Sequence, residues 1–85
     1  MARIRSLEKS SQSISPHKTE VDATFQIVVG PNGEPYFHLS TYGSDDRASL
    51  PKVSQTFQLD QSIATALVAE LVATFGKTVL AGAQQ

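Results

Sequence analysis

The sequence has no cysteine and only two histidines among its 85 residues. Without cysteine, a disulfide scaffold, a thiolate metal site and a thiol nucleophile are all excluded. No apolar run approaches the roughly 20 residues that a transmembrane helix needs, and no signal-peptide core follows the first methionine. We therefore expect a small, soluble, cytoplasmic protein with no membrane partner, folded as one domain.

Charged residues are also scarce, and the net charge is only −1. Residues 1–18 hold four basic residues against one acidic residue, whereas residues 19–85 hold three basic residues against seven acidic ones. This balance argues against a protein that binds nucleic acid through bulk charge, but it permits a localised basic patch. A solvated tail explains the basic N-terminal residues equally well.

The chain divides into three regions by composition and periodicity. Residues 1–18 are expected to form a flexible, basic, serine-rich segment, with a short strand at residues 2–7. Residues 19–76 are expected to form a single α+β domain, and residues 77–85 a C-terminal tail.

Strict alternation of apolar and polar residues predicts half-buried strands at residues 19–29, 36–42 and 53–59. Between the first two, Asn32-Gly33 predicts a type I′ hairpin turn, and Pro31 and Pro35 should end the flanking ladders. Three such strands, with a fourth if residues 2–7 join them, predict an antiparallel β-meander.

A C-terminal helix is predicted over residues 61–75. Asp60 occupies the N-cap position, and Gly76 suits the position after the last turn. At 100° per residue, one half of the helix is apolar and is expected to cover the sheet. The members of this half are Ile63, Ala64, Leu67, Val68, Leu71, Val72 and Phe75.

The opposite half of the helix carries small residues and a single charge, Glu70. Small residues would permit close approach by a second helix, so we expect a homodimer that forms through the C-terminal helix. An alanine-rich face exposed to solvent is the alternative, because alanine favours helices on propensity alone.

Signals for enzymatic chemistry are weak. Phe75-Gly76-Lys77-Thr78 ends like a phosphate-binding P-loop, but Leu71 stands where that motif needs its first glycine. His17 and His38 have no neighbouring ligands at metal-binding spacing. No catalytic residue, metal site or cofactor is therefore predicted, and we expect the protein not to be an enzyme.

The outer face of the predicted sheet carries uncharged hydrogen-bonding groups and aromatic rings. Aromatic rings, polar groups and nearby cations together are what single-stranded nucleic acid binds to. The ordinary solvated face of an antiparallel sheet is the competing interpretation. The nucleic-acid-binding residues predicted here are Tyr36, His38, Ser40, Tyr42, Arg47, Lys52, Ser54, Thr56 and Gln58.

Two segments, Tyr36-Phe37-His38-Leu39-Ser40-Thr41-Tyr42 and Lys52-Val53-Ser54-Gln55-Thr56-Phe57-Gln58-Leu59-Asp60, resemble the positive-cofactor-four and Whirly-like family of single-stranded-DNA-binding domains. The similar stretch is roughly residues 21–76. The resemblance implies a four-stranded sheet on one helix, dimerisation through the helices, and sheets that bind single-stranded DNA or melted duplex. The block TYGSDDR at residues 41–47 also looks like a pattern of small bacterial proteins, which implies a prokaryotic or phage source.

The sequence thus predicts an α+β homodimer that binds single-stranded DNA or RNA as an accessory factor in transcription, replication, repair or phage defence. The alternative is a small regulatory subunit that docks on a protein partner in a larger complex and does not contact nucleic acid.

Overall fold

A four-stranded sheet and a C-terminal helix form the α+β fold predicted from the sequence. The computed structural model describes residues 1–43 and 52–83. The strands follow the order β1-β4-β3-β2 across the sheet. The elements are β1 (Ala2–Arg3), β2 (Ala23–Val29), β3 (Pro35–Tyr42), β4 (Val53–Leu59), α1 (Gln61–Phe75) and α2 (Thr78–Ala83).

Strands β2, β3 and β4 form the predicted antiparallel meander. Strand β1 differs from the prediction because it is two residues long and pairs with β4 in parallel, with Ala2 opposite Phe57 and Arg3 opposite Gln58. The N–H of Ile4 extends this ladder by donating to the carbonyl of Gln58 at 2.9 Å. Strand β2 begins at Ala23, four residues later than alternation alone predicts.

The β2–β3 turn is of a different type from the one predicted. The N–H of Gly33 donates to the carbonyl of Gly30 at 3.0 Å, so Pro31 and Asn32 are the central residues. Gly33 has φ +81°, whereas none of the non-glycine residues in the described ranges has positive φ. The prediction of a type I′ turn is therefore wrong, because such a turn needs positive φ at both central residues. A type I turn followed by a left-handed glycine fits, because the fixed φ of Pro31 suits its second position.

Helix α1 has the predicted bounds and caps. The N–H of Ile63 donates to Asp60 Oδ1 at 2.9 Å, which satisfies one of the free donors of the first turn. At the other end, Gly76 has φ +89° and its N–H donates to the carbonyl of Val72 at 2.7 Å. Within the described residues, neither helix is long and apolar enough to cross a membrane.

The sheet face toward α1, named here the apolar face, is only partly covered. Leu59 and Ile63, at the junction of β4 and α1, are the buried hydrophobic residues of the described chain, 6% and 9% exposed. On β2, by contrast, Phe25, Ile27 and Val29 are 69%, 72% and 68% exposed. The expectation that the helix covers the sheet is therefore wrong for β2, because α1 packs at the β4 side of the sheet.

Candidate nucleic-acid interface

Six of the predicted binding residues share the sheet face opposite α1, named here the outer face. Strand pairing places them together because residues opposite one another in a ladder project to the same side. His38 lies between Gln26 and Gln58, and Ser40 lies between Thr24 and Thr56. The six residues are Tyr36, His38, Ser40, Tyr42, Thr56 and Gln58.

The centre of the outer face is a hydrogen-bonded chain of three side chains. Gln58 Nε2 lies 3.0 Å from His38 Nδ1, and His38 Nε2 lies 3.1 Å from Ser40 Oγ. An amide nitrogen can only donate, so Nδ1 accepts and the ring proton on Nε2 is donated to Ser40. Ser40 is 7% exposed, and every buried polar side chain of the described residues has a partner. The polar side chains at this centre are therefore paired with one another.

The two tyrosines mark the ends of the outer face along β3. The hydroxyl of Tyr42 lies 3.0 Å from Thr24 Oγ1 on the neighbouring strand, and the rings of Tyr36 and Tyr42 are both half-buried. Tyr42 follows Tyr36 by six positions on the same strand, which corresponds to about 20 Å. Thr24 was not among the predicted site residues, although its alternation with Gln26 places it on this face.

Arg3 also lies on the outer face, although it was not among the predicted site residues. Its partner in β1–β4 pairing is Gln58, which brings its side chain to the outer face. Its guanidinium carbon lies 5.3 Å from the centroid of the Tyr36 ring, and Nη1 donates to the Tyr36 hydroxyl at 2.9 Å. This distance is that of a cation–π contact. A shallow depression between Arg3 and His38 is also lined by Thr56 and Gln58.

Lys52, another of the predicted cations, lies beyond the Tyr42 end of the outer face. Lys52 has an exposed side chain, and its carbonyl accepts from the N–H of Gly43 at 3.1 Å, which closes the β3–β4 connection. Arg47 lies outside the described residues.

The first residues of β4 depart from simple alternation. The ladder shifts between Thr41, which pairs with Gln55, and Tyr42, which pairs with Val53. Ser54 is therefore the extra residue of a β-bulge, and it is exposed. Alternation predicted Ser54 on the outer face and Val53 on the apolar one, whereas the shift sets Val53 opposite Tyr42.

Asp22 brings a carboxylate to this same end of the outer face. The carbonyl of Asp22 accepts from the N–H of Tyr42 at 3.0 Å, and the Asp22 side chain is exposed. A carboxylate here opposes the attraction of Lys52 for a phosphate. Glu34 places a carboxylate at the Tyr36 end as well, because the Glu34 carboxylate and the Tyr36 ring both lie against Gly30.

Within residues 1–43 and 52–83, no group of three or more His, Cys, Asp or Glu side chains is placed to hold a metal ion. Comparison of the chain with protein-family models, with curated proteins and with solved structures finds no match. The resemblance to the positive-cofactor-four and Whirly-like family therefore stays a prediction.

Proposed function

We propose that this protein binds single-stranded nucleic acid across the outer face, as a non-enzymatic accessory factor with little sequence preference. The observation that carries the proposal is the position of the Arg3 guanidinium against the Tyr36 ring, on the same face as His38 and Tyr42. Aromatic rings combined with cations are the features that hold an unpaired strand, because bases stack on rings and phosphates pair with cations.

The aromatic residues would receive the bases. Tyr36 and Tyr42 keep part of each ring exposed, and both hydroxyls are already held by neighbours. Rings held in this way lose little conformational freedom when a base stacks on them. Their separation of about 20 Å allows two stacking positions on one strand of the ligand.

The cations would follow the phosphates. Arg3 uses one of its five N–H donors on Tyr36, so the others remain for phosphate oxygens. Lys52 supplies a second cation at the Tyr42 end, and Arg47 is proposed as a third. With so few contacts, the affinity should be modest and its salt dependence shallow, about 0.7 log units per phosphate for each tenfold change in salt.

The polar residues divide into two roles in this proposal. Ser40 is buried and bonded to His38, so it holds the centre of the face in shape rather than contacting the ligand. Ser54, Thr56 and Gln58 are exposed or half-buried and would donate to sugars, bases or phosphates.

Fluorescence anisotropy with a labelled oligo-dT, compared with a duplex of equal length at low and physiological salt, tests the proposal. Salt-sensitive binding to the single strand with weaker binding to duplex is the expected result. Arg3→Lys keeps the charge but loses the planar group that stacks on Tyr36, so it should lower affinity less than Arg3→Ala. Absence of binding at low salt would remove the proposal.

A second candidate is a protein-interaction subunit without nucleic-acid binding. The exposure of Phe25, Ile27 and Val29 favours it, because apolar surface of this kind marks an interaction site. It would replace the first candidate if oligo-dT fails to bind and a different protein is found to cover the apolar face.

A further inference from the structure

We infer that the apolar face is closed by a second copy of this chain, packed by the same face, and that α1 of each copy covers β2 and β3 of the other. This differs from a dimer through the small-residue half of α1, which is the arrangement that the sequence predicts. It does not depend on the proposed binding of nucleic acid.

A single copy of the chain leaves much of the apolar face exposed to solvent. Phe25 stacks on Phe37 with ring centroids 5.5 Å apart, yet both rings are exposed on their outer sides, as are Ile27 and Val29. Since one aromatic side chain can bury roughly 150–250 Å², these four side chains together expose on the order of 400–500 Å².

Helix α1 also leaves part of its apolar half exposed. Its first turn is buried at Ile63, but exposure rises along the same apolar half, and Phe75 at the last turn is 67% exposed. Val68 and Leu71 are exposed as well. The uncovered half of α1 and the uncovered half of the sheet together approach the roughly 800 Å² per partner of a stable interface.

A second copy fits this surface better than an unrelated partner. A twofold axis lets the exposed half of each helix meet the exposed strands of the other copy. The same symmetric contact therefore covers the exposed apolar surface of both the helix and the sheet. The exposed members of the surface on β2, β3 and α1 carry no charge, so two copies meet without like-charge repulsion.

The small-residue half of α1 is the less suitable surface. A depression there is lined on one side by Ala66, Ala69 and Ala73 and on the other by Leu7 and Lys9 of the same chain. The N-terminal segment therefore occupies the approach that a second helix would need.

Analytical ultracentrifugation of the wild-type chain and three glutamate variants tests the inference. Ile27→Glu buries a charge in the proposed interface and should weaken dimerisation at least about 100-fold. Gln26→Glu is the matched control, because Gln26 directly precedes Ile27 on the same strand and projects to the outer face; this variant should stay dimeric. Ala69→Glu should also stay dimeric.

Thermal unfolding of the wild-type chain over a range of concentrations keeps the test decisive if Ile27→Glu does not fold. A dimer that completes the core requires Tm to rise with protein concentration. A wild-type monomer with a sharp, concentration-independent transition would overturn the inference. A dimer that Ala69→Glu dissociates and Ile27→Glu does not would overturn it in favour of the helix interface. These assays contain no nucleic acid, so their failure is separate from failure of oligo-dT binding.

Discussion

The guanidinium of Arg3 donates to the hydroxyl of Tyr36, although 33 residues of chain separate them and β4 lies between their strands. The contact joins the start of the chain to the first residues of β3 across the outer face. It holds the hydroxyl of Tyr36 in place and sets a cation against the ring. In the proposed function, the ring would stack on a base and the cation would pair with a phosphate.

Replacing both Arg3 and Lys52 by alanine should weaken oligo-dT binding about tenfold or more, because each loses a charge-assisted contact to phosphate. The slope of log affinity against log salt concentration should become shallower by about 0.7 for each cation removed, and this change should be similar for all ligand sequences. Lys77→Ala is the control, since Lys77 follows α1 and lies away from the outer face. Arg47→Ala with Lys52→Ala is the corresponding test of the sequence-based site, and unchanged affinity there would remove Arg47 and Lys52 from it.

Asp22→Asn should strengthen oligo-dT binding about two- to threefold at low salt, because it removes a negative charge near Tyr42 and Lys52. The gain should disappear as salt rises. Asp22→Glu keeps the charge and should leave the affinity as it is. A loss of affinity in Asp22→Asn, measured by the same anisotropy titration, would contradict binding at this end of the sheet.

Ser40→Ala should lower the free energy of unfolding by about 1 kcal/mol, because it leaves the Nε2 proton of His38 without its partner inside a half-buried network. Ser54→Ala, at an exposed position, should change it by less than about 0.5 kcal/mol. Urea unfolding at one fixed protein concentration measures both. Equal values for the two variants would show that the network adds nothing to stability.

Asp60→Ala should cost about 1 kcal/mol in the same urea experiment, because the N–H of Ile63 loses its acceptor. Asp60→Asn retains an oxygen that can accept this hydrogen bond, and should remain within a few tenths of the wild-type value. Helix content by circular dichroism should fall in the alanine variant alone. A large loss in Asp60→Asn would point instead to the charge of the carboxylate.

Local patterns in the sequence were sufficient to predict β4, α1 and both caps of the helix. Alternation and the 3.6-residue period act within a few residues, so Asp60 and Gly76 could be assigned without any tertiary contact. The same alternation brought six of the nine site residues to one face. The predicted type of the β2–β3 turn was wrong because the fixed φ of Pro31 favours a turn that lies one residue earlier. The Asn32-Gly33 pair alone does not reveal this constraint.

Features that depend on distant parts of the chain were not predictable in the same way. The pairing of Arg3 with Gln58 joins segments far apart in sequence, and two residues carry too little periodicity to identify a strand. The bulge at Ser54 depends on the register of β3 against β4. The coverage of Phe25 and Ile27 depends on where α1 lies over the sheet, and the period of the helix identifies its apolar half without giving that position.

The parallel pairing of β1 with β4 also sets an order on folding. Strand β1 leaves the ribosome before β4, so it has no pairing partner until Phe57 and Gln58 have emerged. The β2–β3 hairpin needs only local contacts and can form much earlier, since contacts of short sequence separation form fastest. During synthesis, the nascent chain therefore has Tyr36, His38 and Tyr42 in place before Arg3 joins them, and the outer face gains its best-placed cation as the last step of sheet assembly.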